Sequence, residues 1–301
     1  MKHLLKIGTR GSALALRQTQ IIEGLLHPCN PDLEIKKIII TTSGDRDKTT
    51  PLNQIGGKGI FIKELEQALL TGEIDCAIHC FKDITAAMHP SLELCAFLPP
   101  ESSADVLVSQ NNRRLIDLPA GSRIATSSMR RKILAERIRP DINTVEVRGN
   151  VDTRLKKIDN NEFEGIILSE AGLIRLGMQA RVAERFNQDE FPPAPGQGVL
   201  AIQARKVDTL NKDILTAIND REQELKSRME MRFLEIVGFD CNVPLGLFTT
   251  TNEESITMKG FISDISGSRF HESFITGAKS HSIMLAEELG RRFLSWRKNL
   301  S

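Results

Sequence analysis

Twice in this chain a short apolar strand runs into a Thr/Ser turn and then a helix. The first copy is Leu4 to Gly8, then Thr9-Arg10-Gly11-Ser12, then a stretch in which Leu14, Ile21, Ile22, Leu25 and Leu26 share one face, with Ser12 placed as N-cap. The second is Ile124-Ala125, then Thr126-Ser127-Ser128-Met129, with Ile133, Leu134 and Ile138 turned inward. A unit used twice in this way constrains the chain to two related α/β lobes. Further strand candidates at 33–40, 74–80, 92–97, 106–109, 144–147, 165–168 and 199–203 alternate with helical stretches at 60–70, 151–160 and 170–176. The expected sheets are therefore mainly parallel or mixed.

At 301 residues the chain exceeds what one hydrophobic core usually supports. The segment Phe191-Pro192-Pro193-Ala194-Pro195-Gly196-Gln197-Gly198 breaks the alternation and is expected to act as a crossover that returns the chain to the first lobe. After Arg221 a long helix is expected to about Gly238, then a turn around Pro244 and Gly246, strands at 255–265 and 269–274, and a last helix at 280–298. These features predict a first lobe over 1–99 and 199–219, a second over 100–198, and a smaller α+β C-terminal domain over 220–301.

Forty basic residues against thirty-nine acidic ones leave a formal charge of +1, and aromatics make up only 5%. Neither a global basic field nor a stacking platform for nucleic acid is available, so any affinity for anions must be local. The five cysteines lack metal-type pairing, and neither a disulfide framework nor a metal site is expected. Leu4-Leu5 is interrupted at once by Lys6 and Arg10, and no apolar run approaches membrane-spanning length. A cytoplasmic protein without a membrane partner is expected.

Arginine placement carries the most chemistry. Arg10 stands at a strand end, Arg130 and Arg131 in a helix's first turn, Arg148 just after a strand, Arg154 in the next first turn and Arg175 before Leu176-Gly177. A basic residue in a first turn opposes the helix dipole, which makes sense where an anion occupies that end. Planar guanidinium forks beyond strand ends suit a ligand with many carboxylates or phosphates. Lys82 and Asp83 lie adjacent after a buried strand, a pattern equally compatible with an ion-paired surface turn. Gly56-Gly57-Lys58-Gly59 precedes a helix but lacks the spacing of a nucleotide loop, and reads as a loop carrying one cation.

These segments together resemble, in order and over nearly the whole chain, the motifs of the hydroxymethylbilane synthase (porphobilinogen deaminase) family. They are Ile7-Gly8-Thr9-Arg10 with Ser12, Gly57-Lys58-Gly59-Ile60-Phe61, His79 with Lys82-Asp83, and Thr126-Ser127-Ser128-Met129-Arg130-Arg131. Val147-Arg148-Gly149-Asn150 with Arg154, Ala171-Gly172-Leu173 with Arg175, Pro195-Gly196-Gln197-Gly198, and Cys241 with Pro244 and Gly246 complete the set. The resemblance implies a cytoplasmic, monomeric transferase of tetrapyrrole and heme biosynthesis. Such an enzyme condenses four porphobilinogens head to tail onto a dipyrromethane primer, releases ammonia at each step, and hydrolyses off hydroxymethylbilane. It implies two periplasmic-binding-protein-like lobes plus a smaller domain, and a primer held by a thioether to Cys241. Asp83 matches the catalytic carboxylate that faces cationic pyrroles. Lys82, Ser128, Arg130 and Arg131 match primer-binding positions. Arg10, Ser12, Arg148, Arg154 and Arg175 match positions that hold the substrate and growing chain, and Lys58 with Phe61 matches a mobile loop. A primer with four added rings carries about a dozen carboxylates, which local arginines can neutralise without raising net charge. The family commonly has two glycines before the primer cysteine, where this chain has Phe239-Asp240. A non-catalytic polycarboxylate-binding protein of the same fold is the alternative, and it predicts no covalent adduct.

Overall fold

The computed structural model describes residues 3–46, 59, 61–84, 88–238 and 243–299. They form two compact units, one of residues 1–101 with 198–224 and one of 102–197 with 225–301.

In the first unit β1 (His3–Thr9) leads into α1 (Ala13–Cys29), then β2 (Leu33–Ile39), the single turn α2 (Ser43–Arg46), α3 (Lys63–Leu70), β3 (Cys76–Cys80) and β4 (Leu92–Leu98). Ser12 caps α1 as its sequence position predicts: its backbone is extended and its hydroxyl accepts from the Ala15 N–H. Ile22 and Leu26 of α1 are fully buried against Leu5 and Ile7 of β1, so one helical face and one strand face close the same core.

The second unit opens with β5 (Asp105–Ser109) and β6 (Arg123–Ala125), followed by α4 (Met129–Ile138), β7 (Asn143–Val145), α5 (Val151–Asp159), β8 (Gly165–Ser169), α6 (Glu170–Arg175) and β9 (Glu184–Arg185). The chain then returns to the first unit with β10 (Leu200–Arg205) and α7 (Thr209–Thr216). Sheet order is β2, β1, β3, β10, β4 in the first unit and β7, β6, β8, β5, β9 in the second. In both sheets the first three strands are parallel, and the fourth, β10 or β5, runs antiparallel to both neighbours. The repeat legible in the two strand–turn–helix strings is thus a repeat of sheet plan.

The last segment holds α8 (Arg221–Val237), the antiparallel strands β11 (Leu245–Thr251), β12 (Ser255–Ser263) and β13 (Phe270–Ala278), and α9 (Ser282–Lys298). Met229 and Phe233 of α8 and Leu289 and Phe293 of α9 pack on one face of this sheet. Phe261 of β12 joins instead the core built around α4, and Arg137 of α4 reaches Glu272 at 2.6 Å while lying 4.0 Å over the Phe270 ring. The α+β segment and α4 therefore form continuous packing within the second unit.

The structure adds elements the sequence pattern did not predict, β11 and α7 among them. β11 contains Pro244's successor residues Leu245 and Gly246, read as a turn, and is fixed by its ladder to β12 rather than by its own alternation. α7 carries few apolar residues and is anchored by Asp208, whose carboxylate caps Asn211 while Arg205 holds it at 2.8 Å.

Candidate functional site

In the first unit Arg10 follows β1 directly. Its Nε donates to Asp45 at 3.2 and 3.0 Å, its Nη2 also pairs with that carboxylate, and its guanidinium lies 4.0 Å over the Phe61 ring. Burial works to raise the Asp45 carboxyl, but hydrogen bonds from Arg10 and Thr42 outweigh it and hold the group below its ordinary value. Arg10 is thus oriented by Asp45 of α2 and by Phe61, two residues before α3. The Ser12 hydroxyl is engaged in capping α1.

At the end of β3 the chain makes a 3-10 turn over Phe81–Asp83. Phe81 is buried edge-on to Phe97, with ring centroids 5.5 Å apart, and its N–H donates to Val199 O at 2.9 Å. Anchoring Phe81 inward turns Asp83 out: its side chain is exposed, and Lys82 is half-buried beside it. His79 lies behind them, buried with Nε2 3.0 Å from Gln203 Oε1, and Gln203 in turn donates to Glu66 at 2.8 Å. Burial lowers the His79 imidazole to about 4 against the opposing hydrogen bond to Gln203, so it is neutral near pH 7 and serves to hold the strand end.

The second unit gathers most of the arginines. Ser128 caps α4 by accepting from the Arg131 N–H. Arg130 and Arg131, expected at a solvent-facing anion site, are instead 5% and 8% exposed and fold back onto Asp105, which is wholly buried. Arg130 Nη1 donates to Asp105 Oδ2 and to Pro192 O, both at 2.7 Å. Arg131 Nε reaches Asp105 Oδ1 at 2.9 Å, and its other nitrogens reach Ile167 O and Gln197 Oε1. The Gln197 amide donates back to Asp105 Oδ1 and Ser103 O, each at 2.9 Å. Burial would raise the Asp105 carboxyl, yet the charges on Arg130 and Arg131 bring it down to about 2.

Beyond this knot Arg154 sits on α5, half-buried, with Nε donating to Gly149 O at 2.7 Å. Gly149 has φ +109°, a conformation that disfavours a side chain and lets the turn after β7 bend back over α5. Burial, and then the charges on Arg131 and Arg148, lower the Arg154 guanidinium to about 10. The charges on Arg131 and Arg148 thus reach Arg154 at the strand-to-helix turns of this sheet, a cost to Arg154 that an anion relieves. Arg175 ends the short helix α6, where the helix expected over 170–176 also puts it, and is buried; positive charge there agrees with the dipole. Lys58 and Cys241, with Phe239 and Asp240, lie outside the described residues.

Sequence reasoning did not single out Asp105 or Gln197 as partners of the arginine pair. A signal was present in Asp105, a carboxylate opening an otherwise apolar strand, which must find a charged partner if buried. No cluster of three or more potential metal ligands occurs among the described residues, and no helix there is long and apolar enough to cross a membrane.

Residues 5–213 match the family model described as "Porphobilinogen deaminase, dipyromethane cofactor binding domain". The chain is 39% identical over 263 residues to "Porphobilinogen deaminase" of Syntrophotalea carbinolica, spanning 87% of this chain and 84% of the relative. It is 37% identical over 290 residues to that of Syntrophus aciditrophicus, spanning 96% and 95%. The chain belongs to the porphobilinogen deaminase family. The porphobilinogen deaminase model takes in both the Lys82–Asp83 turn and the Arg130, Arg131, Arg148 and Arg154 group, and ends before Cys241.

The same buried region of this porphobilinogen deaminase family member holds Glu230 of α8, 8% exposed, accepting from the Gly196 N–H at 2.7 Å. Burial raises its carboxyl to about 7 against hydrogen bonds from Thr249 and Gly196 and the Lys226 charge. A carboxyl whose folded pKa exceeds its unfolded one adds stability at low pH and loses it as pH rises through the folded value. Glu230→Gln is therefore expected to unfold at the same denaturant midpoint as the parent near pH 4. At pH 8 it should be more stable by about 2 kcal/mol, read from urea titrations at the two pH values.

Proposed function

We propose that this chain is a hydroxymethylbilane synthase. It condenses four porphobilinogens onto a dipyrromethane attached to Cys241, with loss of ammonia at each step, and releases linear hydroxymethylbilane by hydrolysis. The observation that supports the reading is the convergence of Arg131 and Arg148 on the half-buried Arg154 in a chain of this family. Their positive charge fits a ligand whose rings each bear an acetate and a propionate. The dipyrromethane supplies, when bound, the terminal pyrrole carbon from which the product grows.

In this reading the chain's own residues divide the work. Ser128, Lys82, Arg130 and Arg131 hold the primer end, and Arg10, Ser12, Arg148, Arg154 and Arg175 hold carboxylates of the incoming and growing rings. Loss of ammonia from the aminomethyl carbon of porphobilinogen leaves a cation. The exposed Asp83 carboxylate offsets that charge and accepts the proton released as the attacked pyrrole regains its aromaticity. Asp45 and Phe61 orient Arg10, and a substrate carboxylate competes with Asp45 for it. Lys58 and Phe61 belong to the loop over the reacting groups. The division 1–99 with 199–219, 100–198 and 220–301 then separates catalytic carboxylate, arginine group and primer cysteine. The enzyme works as a cytoplasmic monomer.

Arginine substitutions test this assignment. Arg10→Leu, Arg148→Leu and Arg175→Leu are expected to stall elongation and leave protein-bound intermediates with extra rings, visible as heavier bands on a native gel or in intact mass. Arg130→Lys and Arg131→Lys, which keep the charge near Asp105, are expected to yield protein lacking the primer increment. Equal, mild effects at all five positions would remove these arginines from primer and substrate binding and leave Arg130, Arg131 and Arg175 as buried structural groups.

A further inference from the structure

α8 ends at Val237, and Cys241 follows in the chain shortly after. Within α8 the buried Glu230 makes one contact of particular consequence, accepting from the Gly196 N–H at 2.7 Å. Gly196 has φ +68°, which turns the backbone so that this N–H points to α8 while the next side chain, Gln197, points the other way. Gln197 is 2% exposed and spends both ends of its amide on the arginine knot, accepting from Arg131 at 3.2 Å and donating to Asp105 at 2.9 Å. A second strut runs alongside, since Pro193 O accepts from the Leu247 N–H of β11 at 2.8 Å and Pro192 O accepts from Arg130 at 2.7 Å. The Pro-rich segment is thus gripped on one side by the α+β part of the unit and on the other by the arginine pair.

We propose that Glu230 is a positioning residue for primer attachment: by holding Gly196, it fixes Gln197 and hence Arg131 relative to the helix that leads to Cys241. The inference rests on the proposed function, because it assigns the arginine pair to the primer. Attachment breaks the C–O bond of the hydroxymethyl group and forms a C–S bond to Cys241, the hydroxyl leaving as water and the thiol proton being released; the step is sensitive to the distance between sulfur and methylene, so a loosened link slows attachment even in a folded chain. An apolar side chain at 230 leaves the Gly196 N–H without its partner in a buried setting.

The test uses the full chain produced without porphobilinogen, incubated with preformed hydroxymethylbilane well below each variant's unfolding temperature. The mass gained on attachment, that of hydroxymethylbilane less one water, is followed by intact mass, and hydrogen exchange of the peptide spanning 191–198 is measured in parallel. Glu230→Leu is expected to load about tenfold more slowly and to exchange the Gly196 amide faster, with Glu230→Gln, which retains an acceptor oxygen, close to the parent in both. Glu230→Asp, too short to span the 2.7 Å contact, provides a folded carboxylate control and is expected to load slowly. Parental loading rates in Glu230→Leu or Glu230→Asp, or slow loading in Glu230→Gln, would overturn the inference and leave the proposed function standing. A parent chain that gains no mass would remove both, while exchange at Gly196 would still report whether the Glu230 contact exists.

Discussion

Asp83→Asn is expected to lower turnover of porphobilinogen by about 100-fold to 1000-fold while leaving the fold and the attached primer intact. The side chain is exposed at the end of a turn anchored by Phe81, so the substitution removes no buried contact. An amide keeps the shape and some hydrogen-bonding capacity but carries no charge to offset successive pyrrolic cations, and it does not take a proton. Asp83→Glu keeps the charge on a longer stem and is expected to retain a trace of activity. Steady-state rates, with intact mass to confirm the primer, separate the cases: turnover near the parental rate in Asp83→Asn would remove Asp83 from the chemistry.

Asp105→Asn is expected to act through stability rather than chemistry. Asp105 is wholly buried and carries the negative charge that faces both Arg130 and Arg131 in the knot. Removing one partner from a buried ionic cluster leaves uncompensated charge in a dry setting, at a cost of roughly 3–5 kcal/mol. The same group gives the parent a pH signature. Its folded pKa of about 2 lies below its unfolded value of 3.8, so its contribution is present above about pH 4 and is lost as pH falls toward 2. Urea unfolding at pH 7 and pH 3 should therefore show a large loss in Asp105→Asn at pH 7 and a smaller one at pH 3. A loss under about 1 kcal/mol at pH 7 would mean the two arginines find other partners.

Much of the lobe plan was legible because its determinants are local. Ser12 and Ser128 stand where short strands give way to helices with periodic apolar faces, and both cap those helices. β11 was not legible, since Leu245 to Thr251 is a strand only because β12 offers it a ladder. The arginine pattern in turn located the charged region but not its wiring. Whether a first-turn arginine faces solvent or folds inward depends on what a distant strand presents, and β5 presents Asp105 to Arg130 and Arg131. Glu230 offered no pattern at all, because its significance lies in one backbone N–H more than thirty residues earlier in the chain.

The proposed function requires a covalent primer on Cys241, which intact mass spectrometry of the purified chain reads without any assay of turnover. The predicted result is a mass above that of the sequence by one dipyrromethane, rising in ring-sized increments on addition of porphobilinogen. Those increments should be absent in Cys241→Ser, or held only through a poor oxygen linkage, and retained when serine replaces Cys29, Cys76, Cys80 or Cys95. A parent chain at its sequence mass, unchanged by porphobilinogen or preformed hydroxymethylbilane, would contradict the account and leave a protein of this fold that binds polycarboxylates without attaching them.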